Sequence, residues 1–317
     1  LNRSVQGRRL DLITISSPEN LAAEKELLRE AGFYSRRPDG SWALDLEGLL
    51  VASSSRGSSS AGGESQVRRF GKGRRAKKVV FLSARVHPGE SPASYVCQGV
   101  LDLLLSDLPD LVMLREQVIF KVVPMLNPDG VFAGNYRCSS VGVDLNRCWT
   151  LPAPSWMCPT VATCKLLCLA IDAQEELHLD MLVDMHSHST AFNAFMYGNA
   201  HSGNGDMAES MERQFPRIFD QLSEDFSLEH TRFDADATKL GSARRTMNEE
   251  LPRTLCYTLE VSFFCSQRIG LKGGAYGQAE YLGLGASLGA ALVEFYVKGG
   301  RREPPERIKK EDPDQSP

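Results

Sequence analysis

The chain has 317 residues, of which 42% are hydrophobic and 24% charged, and its formal net charge is -4. Such a length and balance suit one large α/β domain or two small ones with a sizeable core, and they argue against a nucleic-acid binder or a polybasic membrane-surface protein. Eight cysteines lie scattered with no CxxC pair or regular framework and no signal peptide ahead of them, so free thiols in a reducing cytosolic compartment are expected.

In chain order, "GRRLDLITIS" reads as a strand, and "SPENLAAEKELLREAG" has the caps and composition of a helix. Residues 53–78, "SSSRGSSSAGGESQVRRFGKGRRAKK", are Ser/Gly-rich and then basic, and offer too few apolar side chains to bury; a disordered surface insertion is expected there. "KKVVFLSARV" is a buried strand ending in the polar turn "HPGE". "SPASYVCQGVLDLLLSDL" then supplies a Ser N-cap, a Pro at the first helical position and an apolar face. "EQVIFKVVPMLNPDG" reads as a strand and turn, and "LDMLVDMHSHS" and "RTLCYTLEVSFF" as further strands with helical segments between and after. "LGLGASLGAALVEFYV" is too short and Gly-rich for a membrane span and suits a buried helix, while residues 298–317 form a tail not expected to fold. Strands alternating with helices predict an α/β fold with a mostly parallel sheet covered on both faces, and ligands in such sheets bind beyond the carboxyl ends of strands.

That rule organises the polar residues. His87 and Glu90 follow one strand end, His186 ends "MLVDM", and Glu260 interrupts "CYTLEVSFF". Two imidazoles and a carboxylate with an open fourth position make the ligand set of a catalytic zinc, and a further carboxylate held in an apolar strand suits a general base. HxxE alone is a weak signal, since such pairs arise by chance. In "DMHSHS" either His186 or His188 suits the ligand role, with His186 leaving the strand first, and Asp184 either orients a ligand or caps a loop. His178, His201 and His230 lie in polar surroundings and carry no functional expectation. For Glu260, with Val261, Phe263 and Phe264 beside it, the alternative is a structural ion pair with an arginine.

"HPGE", "NPDG", "GNYRCS", "DLNRCW", "DMHSHS" and "TLEVSFF" occur in the order found in the zinc carboxypeptidases of the M14 type, and their spelling resembles that of the cytosolic carboxypeptidase subfamily. The resemblance runs from about Arg9 to Val297, apart from the Ser/Gly insertion. It implies a zinc-carboxypeptidase fold, a mixed and mostly parallel sheet flanked by helices, over residues 1–297. It also implies a β-sandwich domain ahead of the catalytic one, which this chain, opening at Leu1, is expected to lack. Carried over motif by motif, His87, Glu90 and His186 would bind one Zn2+ and Glu260 would be the general base. Arg137 would polarise the scissile carbonyl. Asn146 and Arg147 would grip the terminal carboxylate, a role that suits the bidentate guanidinium.

The subfamily removes glutamate, so a cation is expected in the pocket for the last side chain. "TKLGSARRTM" offers Lys239, Arg244 and Arg245, with Arg245 the first choice and Arg244 the second. The implied substrates are C-terminal or branched glutamates on acidic protein tails such as those of tubulin. A cytoplasmic monomer with no nucleic-acid or membrane partner is expected, and microtubules, centrioles and basal bodies are further locations the resemblance suggests. One departure stands out: digestive carboxypeptidases place a tyrosine on a loop before the catalytic glutamate, and "FDADATKLGSARR" has no counterpart. Two other readings remain open, a zinc amidohydrolase of the aspartoacylase and succinylglutamate desuccinylase kind, and a tubulin-binding homologue that has lost catalysis.

Overall fold

A computed structural model of the chain describes residues 1–36, 42–45, 76–152, 155–200, 206–234, 236–267 and 274–301. Most of the expected 53–78 insertion and residues 302–317 of the expected tail lie outside the described residues. Lys77 and Lys78, expected at the end of the insertion, already belong to a strand. Arg301, expected in the unfolded tail, is ion-paired to the buried Asp180.

Eleven strands are found among the described residues. β1 (Asn2–Arg3) and β2 (Arg9–Leu10) form an amino-terminal hairpin, and β4 (Tyr34–Arg36) pairs with β5 (Trp42–Leu44). The remaining strands, β3 (Ile13–Ile15), β6 (Lys77–Ala84), β7 (Val118–Val123), β8 (Leu177–His188), β9 (Ala194–Asn199), β10 (Arg232–Asp234) and β11 (Leu255–Ser262), make one sheet in the order β10-β9-β11-β8-β6-β7-β3. β7, β6, β8 and β11 run parallel at its centre, β3 is antiparallel to β7, and β9 is antiparallel to β11. The sheet is therefore mixed and mostly parallel, as the alternation of strands and helices requires.

The single strand predicted over "GRRLDLITIS" is in fact two. Leu10 is buried in the core on one face of the sheet and Ile15 in the core on the other, so the chain has to cross between them at Asp11 and Leu12. β7 starts only at Val118, because Glu116 and Gln117 close the preceding Pro109–Gln117 helix.

Both faces of the sheet are covered. Val80 and Leu82 of β6 point into a core shared with the Ser91–Leu104 and Gln278–Tyr296 helices, while Val79 and Phe81 point into one shared with the Pro159–Asp172 helix. This two-residue alternation of a doubly buried strand explains why β6 and β7 read as unbroken apolar runs. On the first face the two helices approach so closely that a Cβ on Gly99 would lie 2.1 Å from Leu282 O, and one on Gly285 2.1 Å from Val96 O. Only hydrogen fits at either position. No helix among the described residues is long and apolar enough to cross a membrane.

Candidate metal centre and active site

The site forms at the carboxyl ends of β6, β8 and β11. Arg85 leaves β6 with φ at 57°, a left-handed conformation that turns the chain out of the sheet and into the His87–Glu90 loop. Glu90 itself occupies the N-cap position of the Ser91–Leu104 helix, where a Ser cap was predicted. Its side chain makes no capping bond, because the carboxylate is directed at the site. Oε1 lies 2.7 Å from His87 Nδ1, Oε2 lies 3.1 Å from His186 Nδ1, and Oε2 accepts from Ser187 N at 3.0 Å.

His87, Glu90 and His186 are all buried, and their ligand atoms lie within 4.8 Å of one another. The two Nδ1 atoms face each other at 3.2 Å. Each ring's other nitrogen is beside a carboxylate: His186 Nε2 is 2.6 Å from Asp184 Oδ2, and His87 Nε2 is 3.2 Å from Asp144 Oδ1. Those carboxylates accept only, so Nε2 of each ring is assigned the proton and both Nδ1 lone pairs converge with a carboxylate on one point. With both Nδ1 atoms deprotonated, such a set offers three acceptors and fits a tetrahedral divalent cation with one position open. Asp184, fully buried, also accepts from Ser83 Oγ at 2.7 Å, which fixes its orientation.

The charges follow this geometry. Burial pushes the Glu90 carboxyl up, but the His186 and His87 imidazoles outweigh it and hold the group well below the ordinary carboxylate range. Burial likewise opposes charge on His186, and the Asp184 and Glu90 carboxylates reverse that and raise the imidazole well above its ordinary value. Glu260 behaves oppositely. Burial, reinforced by the Glu90 carboxylate, pushes it up to about 7 against the pull of His186, His87 and Lys239. It lines the same cavity, of about 250 Å³, as the three ligands.

Arg137, Asn146 and Arg147 line that cavity too. Arg137 is forked onto Asp144 Oδ2 through Nε at 2.9 Å and Nη2 at 2.8 Å. Asn146 is buried, with its Oδ1 accepting from Ala243 N at 3.1 Å and its Nδ2 3.3 Å from His186 Nε2. Arg147 is exposed and donates to Asn146 O at 2.9 Å, with no carboxylate partner among the described residues. The aspartate at the head of "DLNR" carries no expectation from the sequence. Asp144 touches His87, Arg137 and the Asn146 backbone at once, and its carboxyl is held well below the ordinary range by His87 and Arg137 despite burial. An acidic residue two positions before the Asn-Arg pair was the available signal.

The three candidate cations separate. Arg245 does not line the cavity; its Nη2 lies 3.4 Å from Glu249 Oε1 and its Nη1 3.4 Å from Asp234 O. Successive residues of a helix point about 100° apart, so only one of Arg244 and Arg245 can face inward. Arg244 is that one, but it is buried and spent on Gly198 O, Asn199 Oδ1 and Asp234. Lys239 also lines the cavity, its Nζ 3.7 Å from the centre of the Tyr197 ring, and it has no carboxylate partner among the described residues.

His188 lines the cavity without joining the ligand group. His178 is remote and pairs with Asp172 at 2.8 Å, His230 packs against Phe195, and His201 lies outside the described residues. Phe264, an apolar neighbour of Glu260 in the sequence, is itself 56% exposed and does not enclose it. The enclosure of Glu260 comes instead from β8 and β9, which flank it as His186 and Phe195. Two tyrosines stand in the wall, Tyr136 and Tyr197, neither from the segment where a tyrosine was sought.

Comparison with known proteins places the chain in a family. The model of the zinc carboxypeptidase family, peptidase M14, matches residues 1–264, and the chain belongs to that family. It is 38% identical over 300 residues to human cytosolic carboxypeptidase 6, covering 93% of this chain and 49% of that protein. To cytosolic carboxypeptidase 6 of Caenorhabditis elegans it is 43% identical over 228 residues, covering 70% of this chain and 49% of that protein. The chain thus spans about half the length of these curated relatives. Among solved structures, a metallo-carboxypeptidase from Burkholderia cenocepacia shares the fold with a TM-score of 0.66 at 23% identity, over 94% of this chain and 63% of that one.

Proposed function

We propose that the chain is a zinc-dependent carboxypeptidase that removes glutamate from the ends or branches of acidic protein tails, of which tubulin's are an example. The observation that carries the reading is the meeting, in one cavity, of the His87, Glu90 and His186 group, the Glu260 carboxylate and the Arg147 guanidinium. Bound by His87, Glu90 and His186, a zinc ion would acidify water and polarise a carbonyl.

The chain's own residues supply the rest. Glu260, poised near neutrality, takes the proton from the attacking water and passes it to the leaving nitrogen. Arg137 supplies donors to the oxygen on which negative charge develops, and Asp144 holds its guanidinium in place. Arg147 and Asn146 grip the terminal carboxylate, which confines cleavage to chain ends.

Glutamate preference is supported by charge. Arg147 and Lys239 are both cations of this cavity without a carboxylate partner among the described residues, and a terminal glutamate brings two carboxylates. With Arg245 turned away and Arg244 already bonded, Lys239 takes the side-chain carboxylate in this reading. The relatives' name supports a cytosolic location.

The test is glutamate release from glutamate-ended peptides and from polyglutamylated tubulin, with and without a chelator, beside N-acyl amino acids as competing substrates. Release from N-acyl amino acids alone would move the chain to the amidohydrolase reading. Tubulin binding without release would move it to the non-catalytic one.

A further inference from the structure

One cavity group has no part in the chemistry above. His188 ends β8, two residues beyond His186 and therefore on the same face of the strand, and it lines the cavity. Its Nδ1 accepts from Thr190 N at 3.2 Å and Ala191 N at 3.0 Å, with Thr190 Oγ1 at 3.3 Å. A backbone N–H can only donate, so Nδ1 carries a lone pair and the hydrogen of the ring sits on Nε2. No side chain or backbone group among the described residues takes that hydrogen. The ring is also held in place. Phe195 meets it edge-on at 5.5 Å between centroids, and Phe195 is the β9 residue directly opposite Glu260.

A fixed tautomer, a clamped ring and an unused donor beside the general base form a binding device that the 190–191 turn alone does not require. We propose that His188 is a substrate-binding residue whose Nε2–H donates to an oxygen of the bound chain end, a peptide carbonyl or a carboxylate. This rests on the carboxypeptidase reading above.

Two substitutions separate substrate binding from turn capping. Asparagine reaches as far as Nδ1, so His188→Asn keeps an acceptor for the Thr190 and Ala191 amides and loses the outer donor. Glutamine reaches as far as Nε2, so His188→Gln keeps a donor there. Each is made in the zinc-loaded 317-residue chain carrying Glu260→Gln, which holds peptide uncleaved, and dissociation constants are measured by calorimetry for a glutamate-ended and an alanine-ended peptide. The zinc content and unfolding temperature of each variant are recorded beside them.

His188→Asn is expected to weaken binding about three- to tenfold with zinc content and unfolding temperature unchanged, and His188→Gln to recover most of that loss. Weakening for the glutamate-ended peptide alone would identify the acceptor as the side-chain carboxylate. Weakening for both would identify an oxygen common to every chain end, and either result supports the proposal. Undiminished binding by His188→Asn overturns it, as does loss of zinc from that variant, which would make His188 part of the metal centre. If the Glu260→Gln parent binds neither peptide, the carboxypeptidase reading fails and the proposal falls with it. Binding by the parent with no effect of His188→Asn sinks the His188 assignment alone.

Discussion

Glu260 lies directly across the β8–β11 ladder from His186, so the proposed general base and a proposed metal ligand are register partners on adjacent parallel strands. Neighbouring strands are about 4.8 Å apart, and the pleat sends both side chains to the same face. The separation of base and ligand is therefore set by backbone hydrogen bonding rather than by flexible loops, and no change of rotamer elsewhere can alter it much.

Replacing Glu260 with Gln removes the proton acceptor and nothing from the ligand set. Turnover is expected to fall about 10²- to 10⁴-fold with zinc content retained, measured by glutamate release and metal analysis on the same sample. The ionised form is the active one, so activity rises with pH through the acid limb. That limb lies at or below about 7, since a bound divalent cation draws the carboxylate down from its metal-free position. Stability gives a second readout. A half-buried acid whose folded pKa is raised costs stability that grows from the ordinary carboxylate range up to about 7 and is constant above it. Metal-free Glu260→Gln is expected to gain more in unfolding temperature over the parent at pH 8 than at pH 5.

Asp184 accepts from Ser83 and sits 2.6 Å from His186 Nε2. Asp184→Asn is expected to weaken zinc binding about 10- to 100-fold, read by competition with a chromogenic chelator. Full chelation should abolish activity and lower the unfolding temperature, with both restored by added zinc. Wild-type affinity in Asp184→Asn would contradict the assigned role of this carboxylate.

Arg147 is expected to read the terminal carboxylate. Arg147→Ala should raise KM for glutamate-ended peptides at least about tenfold, whereas Arg147→Lys retains charge without the two-pronged geometry and falls between. A peptide with an amidated terminus should be a poor substrate for the parent and show little further loss with Arg147→Ala.

Lys239 rests on the Tyr197 ring with no competing carboxylate among the described residues. Lys239→Gln should lower the ratio of kcat/KM for glutamate-ended over glutamine-ended peptides by about tenfold or more, and Arg245→Gln should leave it unchanged. A ratio that responds to Arg245 instead would return the selectivity to the helix residue first expected from the sequence.

Asp129 is buried and accepts from Ser4 Oγ at 2.5 Å, Gln6 N at 2.9 Å and Arg8 Nη1 at 2.9 Å, which ties the amino-terminal hairpin to the Pro128–Ala133 helix. Burial opposes its charge, but the Ser4, Gln6 and Arg8 donors prevail and lower the carboxyl below its ordinary value. A depressed folded pKa gives stability that is present above the ordinary carboxylate range and lost as pH falls through the folded value. Asp129→Asn is expected to cost about 1–3 kcal/mol at pH 7 and progressively less below pH 4, by denaturant unfolding at the two pH values.

The parts of this site that were legible in the sequence are those fixed by strand ends. β6, β8 and β11 are long and apolar, so His87, Glu90, His186 and Glu260 stood out as polar residues where apolar ones end or are interrupted. Asp144 did not stand out, because its importance lies in contacts to His87 and Arg137 that no local pattern encodes. The sequence ranks Arg245 ahead of Arg244, and the phase of the Ala243–Glu250 helix against the sheet reverses that order by turning Arg244 inward. The Ser cap was a local rule overridden by tertiary demand, since the capping position went to a residue whose carboxylate is needed elsewhere. In the same way, Leu10 and Ile15 look like one strand until the two sides of the sheet compete for them.

His87 and Glu90 are 99 and 96 residues from His186 along the chain, and what joins them in space is the parallel pairing of β6 with β8. A peptide containing only one of these segments holds an incomplete set of ligands. If these residues hold zinc as proposed, its uptake would report on the assembly of the central sheet, and titrating the ion during refolding would time the moment at which those two strands come into register.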